Sequence, residues 1–145
     1  MSRRSLSIVI AVVLVAGLLA GAALLLRQTA ESHAAVLLPT GSLWRYDDSG
    51  KPLDVAWRQA DFDDSRWPVA PAPFGYGQET ATEISYGADP KRKHITTYFR
   101  TGFQVPEGVA GVELRIRRDD GAVVYLNGSE VLRTGMPQGE VTASV

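Results

Sequence analysis

Residues 118–132 constrain the fold more than any other stretch. The run Ala122-Val123-Val124-Tyr125-Leu126 and the run Ser129-Glu130-Val131-Leu132 are separated by two residues, Asn127-Gly128. A two-residue hairpin loop of type I′ needs φ > 0 at both positions, and Asn-Gly meets that need at the lowest steric cost. The stretch therefore predicts a β-hairpin, and the other strands must pack with it.

Other segments carry the period-two signature of half-buried strands. In residues 94–105, Ile95, Thr97, Phe99, Thr101, Phe103 and Val105 fall on one face. Thr96, Tyr98, Arg100, Gly102 and Gln104 fall on the other. Pro106-Glu107-Gly108 turns the chain, and Val112, Leu114 and Ile116 then alternate with Glu113, Arg115 and Arg117. Leu43-Trp44-Arg45-Tyr46 reads as a strand, Val36-Leu37-Leu38-Pro39 as a first edge strand, and Thr82 to Tyr86 as a weaker candidate. Pro- and Gly-rich residues 70–77 read as irregular loop. No amphipathic helix of three turns appears after residue 30, so the expected class is all-β, a sandwich or barrel. A sandwich normally needs more strands than these, and a new apolar run begins at Val141. The expectation is a sandwich incomplete at its C-terminus.

One N-terminal segment stands apart. Residues 6–26 carry no charge, with Arg3 and Arg4 before them and Arg27 after. As a helix this run is long enough to span a bilayer, and the leading arginines hold its N-terminus in the cytoplasm. It reads as a signal anchor or a cleaved signal peptide; small-x-small sites stand at Ala20-Gly21-Ala22 and Ser32-His33-Ala34. Either way the rest of the chain lies on the extracytoplasmic side, in the cell membrane or secreted. The expected division is residues 1–27 as the signal helix, 28–35 as linker and 36–145 as the β-module.

The net charge is −1 and no basic stripe carries interleaved aromatics, which argues against nucleic acid as a partner. The chain has no cysteine and two histidines, so disulfides, thiolate catalysis and Cys-based zinc sites fall away together. No nucleophile elbow, H-E-x-x-H or P-loop occurs, and the chain alone is expected not to be an enzyme.

Four residues stand out as candidate ligand contacts. Asp119 and Asp120 precede Gly121 at the mouth of the hairpin and could give carboxylate oxygens to calcium. The same aspartates could instead bond the local backbone and shape the turn. Tyr76 and Tyr86 lie in Gly-rich loops, where an exposed ring can stack on a sugar face. Asp61, Asp63 and Asp64 lack the EF-hand spacing and read as turn-formers that let Trp67 reach the core. Lys91-Arg92-Lys93 is a short basic run suited to phosphates or to water.

Phe62-Asp63-Asp64-Ser65-Arg66-Trp67, Phe74-Gly75-Tyr76-Gly77, Thr96-Thr97-Tyr98-Phe99-Arg100-Thr101-Gly102-Phe103 and the Arg118-to-Gly128 stretch, in this order, resemble the galactose-binding-like β-sandwich. That fold is found in bacterial extracellular proteins beside metallophosphoesterase-type catalytic domains, and in family-two glycoside hydrolases. Asp119-Asp120-Gly121 also resembles a step of lectin domains of the protective-antigen type. The resemblance implies a jelly-roll sandwich and carbohydrate or another cell-surface polymer as ligand. The expected role is a membrane-tethered, extracytoplasmic, non-catalytic module that binds glycan or orients a catalytic domain. The alternatives are the N-terminal part of a secreted metallophosphoesterase or other hydrolase with its active site downstream, and a structural spacer.

Overall fold

The computed structural model describes residues 35–107 and 109–141, and these are β-rich. The segment expected to be a signal helix lies outside the described residues, and no described helix is long and apolar enough to cross a membrane. Among the described residues, seven short strands form three small sheets. They are β1 (Leu43–Asp47), β2 (Val69–Pro71), β3 (Phe74–Gly75), β4 (Thr82–Glu83), β5 (Tyr98–Arg100), β6 (Ala122–Leu126) and β7 (Ser129–Thr134). The first sheet is antiparallel with order β2-β1-β5; β3 pairs parallel with β4, and β6 antiparallel with β7.

The hairpin forms where its turn residues demand it. Asn127 has φ 47° and Gly128 φ 86°, the left-handed values of a type I′ turn. Leu126 faces Ser129 and Tyr125 faces Glu130, but Val124 faces Leu132. The register slips by one at Val131, which is the extra residue of a β-bulge. Arg133 then makes a two-pronged contact with Glu130, Nε to Oε1 at 2.7 Å and Nη2 to Oε2 at 2.6 Å. Its Nη2 also donates to the Gly139 carbonyl at 3.0 Å, tying the next loop to β7.

The sheet β2-β1-β5 is covered on both faces. Tyr46 and Phe99 are cross-strand neighbours, and the Phe74 ring lies against both, at 5.2 and 4.8 Å between centroids. On the opposite face Tyr98 meets Trp57 at 5.0 Å, and Trp57 meets Tyr125 of β6 at 5.7 Å, both edge to face. Edge-to-face pairing matches the positive ring edge to the negative ring face. Trp57 sits on a 3-10 turn, Val55–Arg58, whose N-cap Asp54 accepts from the Ala56 N–H at 2.9 Å. Tyr98, 5% exposed, is the only buried hydrophobic residue among those described.

Several expected strands take another form. Of residues 94–105 only Tyr98–Arg100 joins a ladder, and the face expected to be polar holds the buried Tyr98. The Trp57 ring covers that face, and alternation along one strand cannot reveal a lid from elsewhere. Residues 109–117 form no ladder, and Leu114 and Ile116 remain 40% and 43% exposed. A strand needs a neighbour to receive its N–H and C=O groups, and no described strand pairs with this segment. Val36 to Pro39 form a bend, not an edge strand, and the Thr82-to-Tyr86 candidate shortens to Thr82–Glu83. Val141 is irregular and residues 142–145 lie outside the described set.

Candidate functional site

An open cleft of about 360 Å³ lies between the β3–β4 connection and the segment that enters the hairpin. Tyr76 and Asp119 both line it, with Gln78, Glu79, Arg117 and Arg118. Two of the four residues singled out in the sequence therefore share one concavity. The geometry behind this is local. Phe74 and Gly75 pair with Thr82 and Glu83, and the Ile84 N–H donates to the Gly75 carbonyl at 3.1 Å, which fixes the chain leading into Tyr76. The Thr80 hydroxyl donates to the Gly77 carbonyl at 2.8 Å and closes the loop. On the other wall, Arg118 Nη2 donates to the Thr134 hydroxyl at 2.9 Å and its Nη1 donates to the Asp120 carbonyl, so the guanidinium is held against the hairpin base.

Arg117 and Glu79 join the two walls. Arg117 Nη2 lies 2.5 Å from Glu79 Oε2, with both side chains about four-fifths exposed. A pair this wet contributes little stability. Its consequence is electrostatic: the lining holds two arginines and two carboxylates, Glu79 and Asp119, so the cleft is close to neutral. Polar groups of both kinds share this lining with two aromatic residues, Phe74, which is packed against Tyr46 and Phe99, and Tyr76, which is 44% exposed.

Asp119 and Asp120 shape the backbone. Asp119 Oδ1 accepts from the Asp120 N–H at 3.0 Å, and Asp120 takes the left-handed region at φ 59°. That conformation is uncommon for a side-chain-bearing residue and better tolerated by Asp than by most. No group of three or more His, Asp or Glu able to hold a metal ion occurs among the described residues.

Tyr86 does not line the cleft. It meets Tyr76 edge to face, 5.5 Å between centroids, and the Lys93 ammonium lies 4.9 Å from the centre of Tyr76 and 5.2 Å from that of Tyr86. Burial, then the Asp48 carboxylate and Tyr86, push the Tyr76 phenol above its ordinary value. Asp48 also anchors this loop: Oδ2 accepts from the Ser85 N–H at 2.7 Å and its carbonyl meets His94 Nδ1 at 2.8 Å. The His94 ring fits between two glycines, since a Cβ at Gly50 would fall 2.4 Å from it and one at Gly87 2.6 Å. Lys93 capping the two rings is a contact that the sequence did not announce.

The aspartates of residues 61–64 are structural in a specific way. Asp63 Oδ1 accepts from the Ser65 N–H at 3.0 Å, an Asx turn, and the Ser65 hydroxyl first, then this backbone bond, hold its carboxyl below the usual range. Register places Arg45 directly opposite Arg100, a like-charge pair that would repel. Asp64 sits between them, Oδ1 3.3 Å from Arg45 and Oδ2 2.8 Å from Arg100. Arg100 Nη1 donates also to the Gln59 carbonyl at 3.0 Å, and Arg45 Nη1 to the Trp67 carbonyl at 3.2 Å. Two cations on adjacent strands needed a carboxylate, a need that shows only once the register is known.

Compared with models of known protein families, with curated proteins and with solved structures, the chain matches none.

Proposed function

We propose that this chain is a non-catalytic binding module of the galactose-binding-like, jelly-roll type. It is tethered by residues 1–27 on the extracytoplasmic side of a membrane and takes carbohydrate in the Tyr76–Asp119 cleft. The observation that carries the reading is the convergence of Tyr76 and Asp119, distant in sequence, on one concavity with Gln78, Glu79 and two arginines. One ring face with flanking donors and acceptors is the chemistry that holds a sugar: the ring takes its apolar face and the polar groups take its hydroxyls. The near-neutral lining favours an uncharged glycan. The order of the sequence motifs supports the fold assignment, and the β-rich architecture is in keeping with it.

The test is a titration of the full chain against a panel of neutral and acidic glycans, with and without calcium. Saturable binding is expected, weakened about fivefold by Tyr76→Ala and by Asp119→Ala, the loss of one ring contact or one charge-assisted hydrogen bond. No saturable binding, or binding indifferent to both substitutions, overturns the reading. A second reading, a module that orients a catalytic domain, draws support from residues 109–117, where Val109, Leu114 and Ile116 are exposed and no described strand covers them.

A further inference from the structure

The cleft uses only Tyr76 of the Tyr76–Tyr86 pair, and the pair itself is a built arrangement. Two phenol rings stand edge to face at 5.5 Å, each with its loop fixed from below: Tyr76 through the Gly75 carbonyl, Tyr86 through its own carbonyl, which accepts from the His94 N–H at 3.0 Å. A cation within about 6 Å of a ring centroid is attracted by the ring's negative face. Here one cation satisfies that condition for both rings at once, the ammonium of Lys93. Lys93 is exposed and reaches the rings on a flexible four-carbon stem, so the occupant can leave without unfolding the loop.

We propose that Tyr76 and Tyr86 form a seat for a trimethylammonium group carried beside a phosphate, with Lys93 as the resident occupant. An alkylated ammonium is weakly hydrated and broad, whereas the lysine ammonium is compact and strongly hydrated, so the former gives up less on settling over the two rings where the Lys93 ammonium now lies. Displacement leaves Lys93 next to Lys91 and Arg92, all three exposed on one short turn. These cations then face the phosphate of the ligand while the rings hold its ammonium. The Asp48 carboxylate, close enough to act on Tyr76, favours a cation at the rings over an anion. The site overlaps the carbohydrate cleft at Tyr76 alone.

The experiment uses the full chain in a polyoxyethylene detergent, which carries neither choline nor sugar. Tetramethylammonium and free phosphocholine are titrated while the ring-proton signals of Tyr76 and Tyr86 are followed. Both probes should shift the two rings together. Lys93→Met should tighten tetramethylammonium about 2- to 5-fold, the strength of an exposed lysine–ring contact. The same substitution should tighten phosphocholine less, because the phosphate loses a partner. Tyr86→Leu should remove the binding of both probes and leave glycan binding at Asp119 unchanged; Tyr86→Phe should keep both. Short-chain phosphatidylcholine added to the same micelles, with phosphatidylglycerol as control, separates a lipid headgroup from a soluble source. Tyr86-dependent binding in either arm supports the seat. Tetramethylammonium affinity equal in the parent chain, Lys93→Met and Tyr86→Leu overturns it.

Discussion

Residues 98–105 and residues 109–117 present nearly the same pattern in the sequence, and the structure treats them in opposite ways. In the first, Tyr98–Arg100 pairs with β1 and is covered from both sides, by Phe74 on Phe99 and by Trp57 on Tyr98. In the second, Leu114 and Ile116 remain 40% and 43% exposed, and the segment joins no ladder. Alternation says which residues could share a face. Whether a strand forms depends on a neighbour for its backbone and a lid for its side chains. Charge sharpens the contrast. Arg100 is pinned by Asp64 at 2.8 Å with its side chain 16% exposed, whereas Arg115 pairs with Glu113 two residues away, 86% and 68% exposed. The first contact joins distant parts of the chain, and the second joins only neighbours.

The comparison breaks most visibly at Tyr98. Tyr98→Ala should cost about 3 kcal/mol in urea unfolding of the full chain, because it empties the one buried aromatic site between β5 and Trp57. Tyr98→Phe keeps the ring and should stay within about 0.5 kcal/mol, since no described residue bonds the hydroxyl. A Phe variant as damaged as the Ala variant would show that the hydroxyl, and not the ring, fastens β5. Next in size is Asp64→Ala, which leaves Arg45 and Arg100 facing each other across the ladder. About 2 kcal/mol should be lost, with part recovered by a second substitution, Arg45→Leu. If the double variant is no better than Asp64→Ala, like-charge repulsion is not what Asp64 relieves.

How much of this was legible follows the same line. The hairpin was, down to its turn type, because Asn127-Gly128 encodes the backbone angles locally. So was β1, and so was the β-rich class. The lid on Tyr98 was not, because Trp57 arrives from a 3-10 turn far back in the chain and leaves no periodic trace. For the site, the sequence singled out Tyr76 and Asp119 for separate reasons, and the cleft joins them. It singled out Tyr76 and Tyr86 as exposed rings, and the fold adds that they meet each other under Lys93. Long side chains choose partners in space, so the pairs Arg117–Glu79 and Arg100–Asp64 had no reading in one dimension. Asp64 was the nearest miss. Arg45 and Arg100 on adjacent strands required an anion, and the register that makes them adjacent becomes visible only in the fold.

The hairpin offers a smaller contrast with residues 109–117, read through pH. The hydrogen bond from Arg133 holds the Glu130 carboxyl below its ordinary 4.5. A carboxyl depressed in the folded state adds stability above its unfolded pKa and loses it as pH falls through the folded value. Stability should therefore decline as pH drops below about 4.5, and Glu130→Gln should flatten that decline. Glu113 is lowered in the same direction by Arg115, two residues away. That contact can persist in an unfolded chain, so Glu113→Gln should leave the acid profile of unfolding unchanged. Equal flattening by both variants would mean that residues 109–117 are ordered by more than local contacts.

The smallest expected effect tests the open segment itself. Leu114→Thr and Ile116→Thr trim side chains that are already 40% and 43% exposed and should change stability by less than about 0.5 kcal/mol. Phe99→Leu, which shortens a ring packed on Phe74 at 4.8 Å, should cost about 1–2 kcal/mol in the same urea assay. The difference between the two sets measures what a neighbour and a lid add to an alternating segment. Should the threonine variants cost as much as Phe99→Leu, residues 109–117 would be covered in solution. A packing partner for that face would then follow, either a second strand or a lid of the kind that Trp57 forms on Tyr98.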